Sequence, residues 1–366
     1  MKKIVIKVGT STLTDGGKSL SQKHMLEIVR EIASVLGKGC QVVLVTSGSI
    51  AAGREVLHPI KTDRSLPEKQ MLSSVGQVHL MNKWKQLFGI YQLPVGQLLL
   101  TRNDFSRREG YLNVRNTIDS LLAHGVVPIV NENDTVATRE IQFGDNDNIA
   151  ALVANLIAAD QLILLTDQEG LFTADPSRDP DAELIKEVHA IDEKIIQLAG
   201  NTTKGTGMGA GGMSTKVEAA RLATRSGTPT IIASSAKPSV IADIVEGRRT
   251  GTYFHPVTTP KESRKRWLLS EKSQGTVVVD QGAEAKVAHE GASLLPVGVT
   301  GSKGKYDRGA IVEVVSGEGR AIARGIVNYS SEEIEKLTGA QSSEIENILG
   351  YSYGSEVIHR DNMALL

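Results

Sequence analysis

The sequence has a single cysteine, Cys40, in 366 residues. A lone thiol excludes a disulfide framework and a cysteine-based metal cluster. Placed just before an apolar strand, Cys40 reads as a small core residue. An excess of charge of either sign is also missing. The net charge is −1, so no global field favours nucleic acid or an anionic membrane. Long apolar runs are absent too. The most apolar zone, residues 149–165, is interrupted by Asn155 and Asp160, which argues against a membrane span. Met1-Lys2-Lys3 opens like a signal peptide, but the apolar stretch stops at Lys7, too short for a signal core. The expectation is a cytoplasmic protein with no membrane contact, in which Asn201-Thr202-Thr203 is a chance sequon. There is no internal repeat and no low-complexity tract.

What the chain does have is a 40% hydrophobic fraction spread over more than one domain's length. Lys3 to Val8 reads as a strand. A helix follows from about Ser21 to Leu36, with Ser21 as N-cap. Gln41 to Val45 is a continuous apolar strand, the mark of a parallel sheet covered on both faces. The alternation continues with a helix near Pro67 to Phe88, a strand at Val95 to Leu100 and a helix at Leu112 to Ala123. Then come a strand at Val126 to Val130, a helix at Ile149 to Ala158, and strands at Gln161 to Leu165 and Thr230 to Ala233. This predicts an α/β fold with a largely parallel sheet sandwiched by helices.

Polar clusters recur where these strands end: Gly9-Thr10-Ser11, Thr46-Ser47-Gly48, Asn131 to Asp134 and Thr166-Asp167. Ligands of open α/β sheets bind outside the carboxyl ends of strands, so the four clusters predict one crevice. A glycine-rich loop, Lys204 to Lys216, adds a fifth element and runs into a helix. Such a loop offers backbone N–H groups and a helix N-terminus to a phosphate. Gly207 to Gly212 fits G-x-G-x-x-G, yet a helical segment precedes it and no acid follows at dinucleotide-fold spacing. Its Ser-Thr-Lys order is not that of a Walker loop either.

Two lysines stand out. Lys7 lies inside an apolar strand, where a charge is costly without a partner; Lys216 closes the glycine loop. Phosphoryl transfer needs positioning and charge neutralisation more than covalent help, and one lysine on each side of the moving group supplies both. Asp147 fits either a helix N-cap or a carboxylate holding the two lysines. Ser47, Asp134 and Asn146 form the candidate acceptor site: a helix N-terminus after Ser47 suits a substrate carboxylate, and Asp134 suits an amino group. Thr166 and Asp167 suit a nucleotide. A nucleoside triphosphate brings Mg²⁺, which keeps oxygen ligands and water; the sequence assigns it no protein ligand.

Taken together, Lys7-Val8-Gly9-Thr10-Ser11, Val45-Thr46-Ser47-Gly48, Asn131-Glu132-Asn133-Asp134, Gly144-Asp145-Asn146-Asp147-Asn148, Leu165-Thr166-Asp167 and Gly211-Gly212-Met213-Ser214-Thr215-Lys216 resemble the amino acid kinase family. The resemblance runs through nearly the whole chain, and the tail is similar to a PUA domain. It implies ATP-dependent phosphorylation of the side-chain carboxylate of L-glutamate, the opening step of proline synthesis. Lys7 and Lys216 would neutralise the moving phosphoryl group, with Asp147 organising them. Ser47, Asp134 and Asn146 would hold glutamate. Lys7, Thr166, Asp167, Ala210, Gly211, Gly212, Met213, Ser214, Thr215 and Lys216 would hold ATP. Ala210 stands where relatives commonly have threonine, which removes a hydroxyl and leaves the backbone donors. The resemblance also implies a homodimer or homotetramer and feedback inhibition by proline, in which Thr101 to Glu109 is a candidate segment. Aspartate, carbamate, acetylglutamate and UMP remain alternative acceptors within the superfamily; Asp134 argues for a free amine.

The expected division is a kinase domain over 1–257, a linker over 258–274, a small mostly β domain over 275–354 and a tail over 355–366. PUA domains elsewhere bind RNA, so an RNA-binding regulator is the rival class. Residues 275–354 hold seven Lys and Arg against eleven Asp and Glu. That is the wrong sign for phosphate neutralisation, and RNA is not expected as a partner.

Overall fold

The computed structural model describes residues 1–60, 63, 65–137, 146–201 and 212–366. They form two compact units. The first comprises Met1–Phe105 and Val114–Pro260; the second comprises Ser106–Asn113 and Lys261–Leu366.

The first unit is built on β1 (Lys3–Val8), β2 (Gln41–Thr46), β3 (Val95–Leu100), β4 (Val127–Glu132), β5 (Gln161–Thr166), β6 (Glu187–Val188), β7 (Thr230–Ser234) and β8 (Thr252–Phe254). Their order is β3-β4-β2-β1-β5-β7-β8-β6. Neighbours from β3 to β7 are parallel, β8 reverses against β7, and β6 runs parallel to β8. The sheet is thus largely parallel, as the unbroken apolar runs require.

Side chains alternate along β1. Ile4, Ile6 and Val8 join a core with Met25, Ile28 and Ile32 of the helix Gln22–Gly37 and Leu80, Trp84 and Phe88 of the helix Leu66–Gly89. Ser21 caps the first of these helices, accepting a hydrogen bond from the His24 amide at 3.3 Å. Val5 and Lys7 point to the opposite face, where the helices Asn146–Leu156 and Met213–Arg225 pack together. Lys7 is therefore buried by the fold's own layering, at 4% exposure.

The second unit has a sheet of β9 (Thr276–Val279), β10 (Val299–Lys303), β11 (Ile311–Ser316), β12 (Ala321–Ile326) and β13 (Met363–Leu365), ordered β10-β9-β11-β12-β13. Val277, Val279, Val312, Val314, Tyr329 and Leu337 fill its core. A second cluster joins Leu112, Leu268, Ile311, Ile326 and Ala364.

Three local features differ from the sequence expectation. Pro260–Ser270 is a helix within the segment that reads as linker. Only Leu268 on it is buried, so it carries no apolar periodicity to reveal it. Within the segment expected to be mostly β, Pro296–Gly298 is a 3₁₀ turn leading into β10, in keeping with the missing N–H of Pro296. Residues 363–365 of the expected tail are β13, paired antiparallel with β12.

Candidate active site

Asp147 is the second residue of its helix and is fully buried. Lys7 Nζ approaches its Oδ1 at 2.7 Å from β1. Lys216 Nζ approaches its Oδ2 at 3.2 Å from the first turn of the helix Met213–Arg225. Thr215 Oγ1 donates to the same Oδ2 at 2.7 Å. Burial works against the charge on Asp147, but Lys216, Lys7 and the Thr215 hydroxyl outweigh it and hold the carboxyl well below the usual carboxylate range. Burial lowers the pKa of Lys7, Asp147 opposes the shift, and Lys216 adds to it. Two ammonium groups thus share one carboxylate, and with all three ionised one positive charge is left uncompensated.

The helix carrying Lys216 starts at Gly212 without a side-chain cap. Its first-turn N–H groups are therefore not satisfied by a capping side chain and can serve an anion. Met213 is buried, while Gly212, Ser214 and Thr215 are half-buried around it. Ala210 and Gly211 lie outside the described residues, as do Gly144 and Asp145. At the end of β5, Thr166 Oγ1 donates to the exposed Asp167 carboxylate at 3.0 Å. The Thr166 carbonyl accepts from the Ser235 amide at 2.8 Å, which joins the carboxyl ends of β5 and β7.

On the other side of β1, Asn146 Nδ2 donates to Ser47 Oγ at 3.1 Å and to Asn131 Oδ1 at 3.1 Å. Asn131 Nδ2 in turn donates to Gln77 Oε1 at 2.7 Å. Ser47 and Asn146 are thus brought together, and Asn146 immediately precedes Asp147. Asp134 belongs to a different group. Its Oδ2 accepts from Ser49 Oγ at 2.9 Å and from Ser73 Oγ at 2.6 Å. Burial raises its pKa, while the Ser73 and Ser49 hydroxyls pull it back down. Ser49 opens the helix Ser49–Leu57 that follows Ser47, and Ser73 lies on the helix Leu66–Gly89. Sequence reasoning misses both serines and Gln77. Ser73 and Gln77 are four residues apart on one helix face, and that spacing does not announce a polar role.

These helices meet through glycine. A Cβ on Gly53 would lie 1.9 Å from the Leu72 carbonyl oxygen, and one on Gly76 would lie 1.8 Å from that of Ser49. Only glycine at both positions permits this approach.

Residues 2–234 match the amino acid kinase family, and residues 275–349 match the PUA domain. The chain belongs to the amino acid kinase family and is a kinase with a C-terminal PUA domain. Among its relatives, a glutamate 5-kinase of Shigella flexneri is 48% identical over 360 residues, covering 98% of this chain and 98% of that protein. A glutamate 5-kinase of Enterobacter sp. strain 638 is 48% identical over 362 residues, covering 99% of this chain and 98% of that protein. A solved UMP kinase of Bacillus anthracis aligns with 70% of this chain and 97% of its own at 15% identity and a TM-score of 0.46, too distant to bear on the chemistry. Among the described residues no helix is long and apolar enough to cross a membrane.

Proposed function

We propose that the protein transfers the terminal phosphoryl group of ATP to the side-chain carboxylate of L-glutamate, giving L-glutamyl 5-phosphate and ADP. The acceptor is supported by the names and full-length similarity of the relatives. The chemistry is supported by one observation above the others: Lys7 and Lys216 flank a single buried carboxylate at 2.7 and 3.2 Å.

In the reaction a glutamate carboxylate oxygen forms a bond to phosphorus as the bond to the ADP oxygen breaks. Attacker and target are both anionic. Two unit charges ~4 Å apart repel by about 4 kcal/mol at an effective dielectric near 20. The uncompensated charge of the lysine pair offsets that repulsion, and Asp147 keeps both ammonium groups in place before the nucleotide arrives. The uncapped helix start at Gly212 to Thr215 offers backbone donors to the phosphates. Thr166 and Asp167 border the nucleotide at the end of β5.

On the acceptor side, Asp134 pairs with the substrate ammonium, while Ser47 and Asn146 position its carboxylate end. Both Asp147 oxygens already face ammonium groups, so that carboxylate does not fit a metal. Mg²⁺ belongs to this reading as part of the nucleotide, held by phosphate oxygens and water. Proline as feedback inhibitor, a dimeric or tetrameric assembly and a cytoplasmic location belong to the same reading.

A hydroxylamine trap for acyl phosphate tests it. Incubated with ATP, the protein should form hydroxamate with glutamate and not with aspartate or acetylglutamate. Lys7→Ala and Lys216→Ala should each lower turnover by about 10²-fold, the size of one lost electrostatic donor. Equal yield from aspartate would overturn the acceptor assignment. Wild-type turnover in either variant would remove that lysine from the chemistry.

A further inference from the structure

At the far end of the same sheet, three metal-ligating side chains converge. Glu187 begins β6, His189 follows β6, and His255 follows β8. Their ligand atoms all lie within 4.8 Å of one another. Glu187 Oε2 is 3.1 Å from His255 Nε2 and 3.7 Å from His189 Nε2. The two imidazoles stack with centroids 4.1 Å apart.

We propose that Glu187, His189 and His255 form a binding site for a divalent transition-metal ion of the Zn²⁺ type. The spacing carries the argument. Ligands ~2.0–2.1 Å from a tetrahedral ion lie roughly 3.3 Å from one another. The two measured separations bracket that edge length, and because the stacked rings hold their nitrogens in near-parallel planes, binding requires the exposed His189 to swing out of the stack until its nitrogen converges with that of His255. Two imidazoles and one carboxylate favour Zn²⁺ and its neighbours over Mg²⁺ or Ca²⁺, which prefer all-oxygen shells. Water supplies the fourth ligand.

The scaffold is suited to hold this geometry. β6 and β8 are paired in register, Glu187 opposite Tyr253 and Val188 opposite Phe254. The His255 amide extends the pairing by donating to the Val188 carbonyl at 2.9 Å. Tyr253 braces the His255 ring edge-on at 4.7 Å. The other oxygen of Glu187 meets Arg249 at 2.9 Å. That ion pair is on the surface, with Arg249 85% exposed, and such pairs contribute little. It leaves Oε2 turned toward the imidazoles.

The site is separate from the lysine pair. β6 lies four strands from β1, about 19 Å at ~4.8 Å per strand. Because β8 reverses against β7, residues after β6 and β8 emerge at the sheet edge opposite the carboxyl ends of β1, β5 and β7. A bound ion would pin the two-residue edge strand β6 to β8.

Equilibrium titration of the metal-free full-length chain with ZnCl₂, in nucleotide-free buffer containing Mg²⁺, tests the proposal. The wild type should bind one Zn²⁺ at micromolar concentration or below. H189A and H255A should each weaken binding at least tenfold, and R249A should tighten it severalfold. Co²⁺ in place of Zn²⁺ should show the intense visible bands of a four-coordinate ion in the wild type and lose them in H189A. His189 is 75% exposed on its side chain, so H189A reads the site without disturbing the fold. Absence of stoichiometric binding, or wild-type affinity in either histidine variant, would overturn the proposal.

Discussion

Asp134 illustrates how single hydroxyls tune a largely buried carboxylate. Ser49 and Ser73 both donate to Oδ2, which among the described residues leaves Oδ1 open to the proposed substrate ammonium. The same hydroxyls counter the rise in pKa that burial imposes. A hydrogen bond to a charged group contributes roughly 1.5–3 kcal/mol. Ser73→Ala should therefore raise KM for glutamate by about tenfold and leave KM for ATP within a factor of two. It should also shift the acid limb of kcat/KM for glutamate to higher pH. Only the ionised Asp134 pairs with an ammonium, and loss of the Ser73 bond raises its pKa further above the ordinary 3.8. An unshifted acid limb with equal effects on both substrates would mean that Ser73 acts only through packing. At this scale the sequence is legible where a residue contradicts its surroundings. Lys7 does so inside an apolar strand, and its partner Asp147 could be anticipated. Ser49 and Ser73 contradict nothing, since serine is ordinary at a helix start and on a helix face. Their role exists only once two helices cross.

That crossing is the element that brings Ser49 and Ser73 to Asp134. Gly76→Ala would gain about 1 kcal/mol of helix propensity in isolation. Here the added methyl would meet the Ser49 carbonyl 1.8 Å away, against backbone that cannot rotate aside. Overpacking of this kind costs about 1–3 kcal/mol, so the clash wins. The variant should melt several degrees lower, and KM for glutamate should rise because Ser49 and Ser73 are pushed off Asp134. A melting temperature above wild type would refute the crossing as drawn. Most elements of the first unit are legible in the sequence, because alternation of apolar strands with 3.6-period helices is strong there. Pro260–Ser270 is not, because one buried leucine among lysines, arginines and glutamates gives no periodic signal. β6 also escapes notice, since two residues are too few to show a period of two.

On the scale of the whole molecule, the order of strands is what the sequence conceals. Polar strand ends predict a common crevice, and the structure places Lys7, Asp147 and Lys216 together. Nothing in the chain announces that β8 reverses or that β6 closes the sheet's far edge. Nor does it announce that Ser106–Asn113 groups with Lys261–Leu366. Within that second unit Leu112 is fully buried with Leu268, Ile311, Ile326 and Ala364. Leu112→Ala should destabilise the unit by about 2–5 kcal/mol. Amide hydrogen exchange should accelerate in β11 and β12 and stay unchanged in β1 and β5. Unaltered exchange in β11 and β12 would show that Leu112 is dispensable to the second unit.

This discontinuity also sets a timetable for synthesis. The ribosome releases residues 106–113 roughly 150 positions ahead of Lys261, where the rest of their unit begins, a lag on the order of 10 s at ~5–20 residues per second. During that interval Leu112 lacks the partners that bury it in the finished chain. The appendage is accordingly not a portable cassette: grafted elsewhere as residues 261–366 alone, it would arrive with a slot where its missing piece belongs.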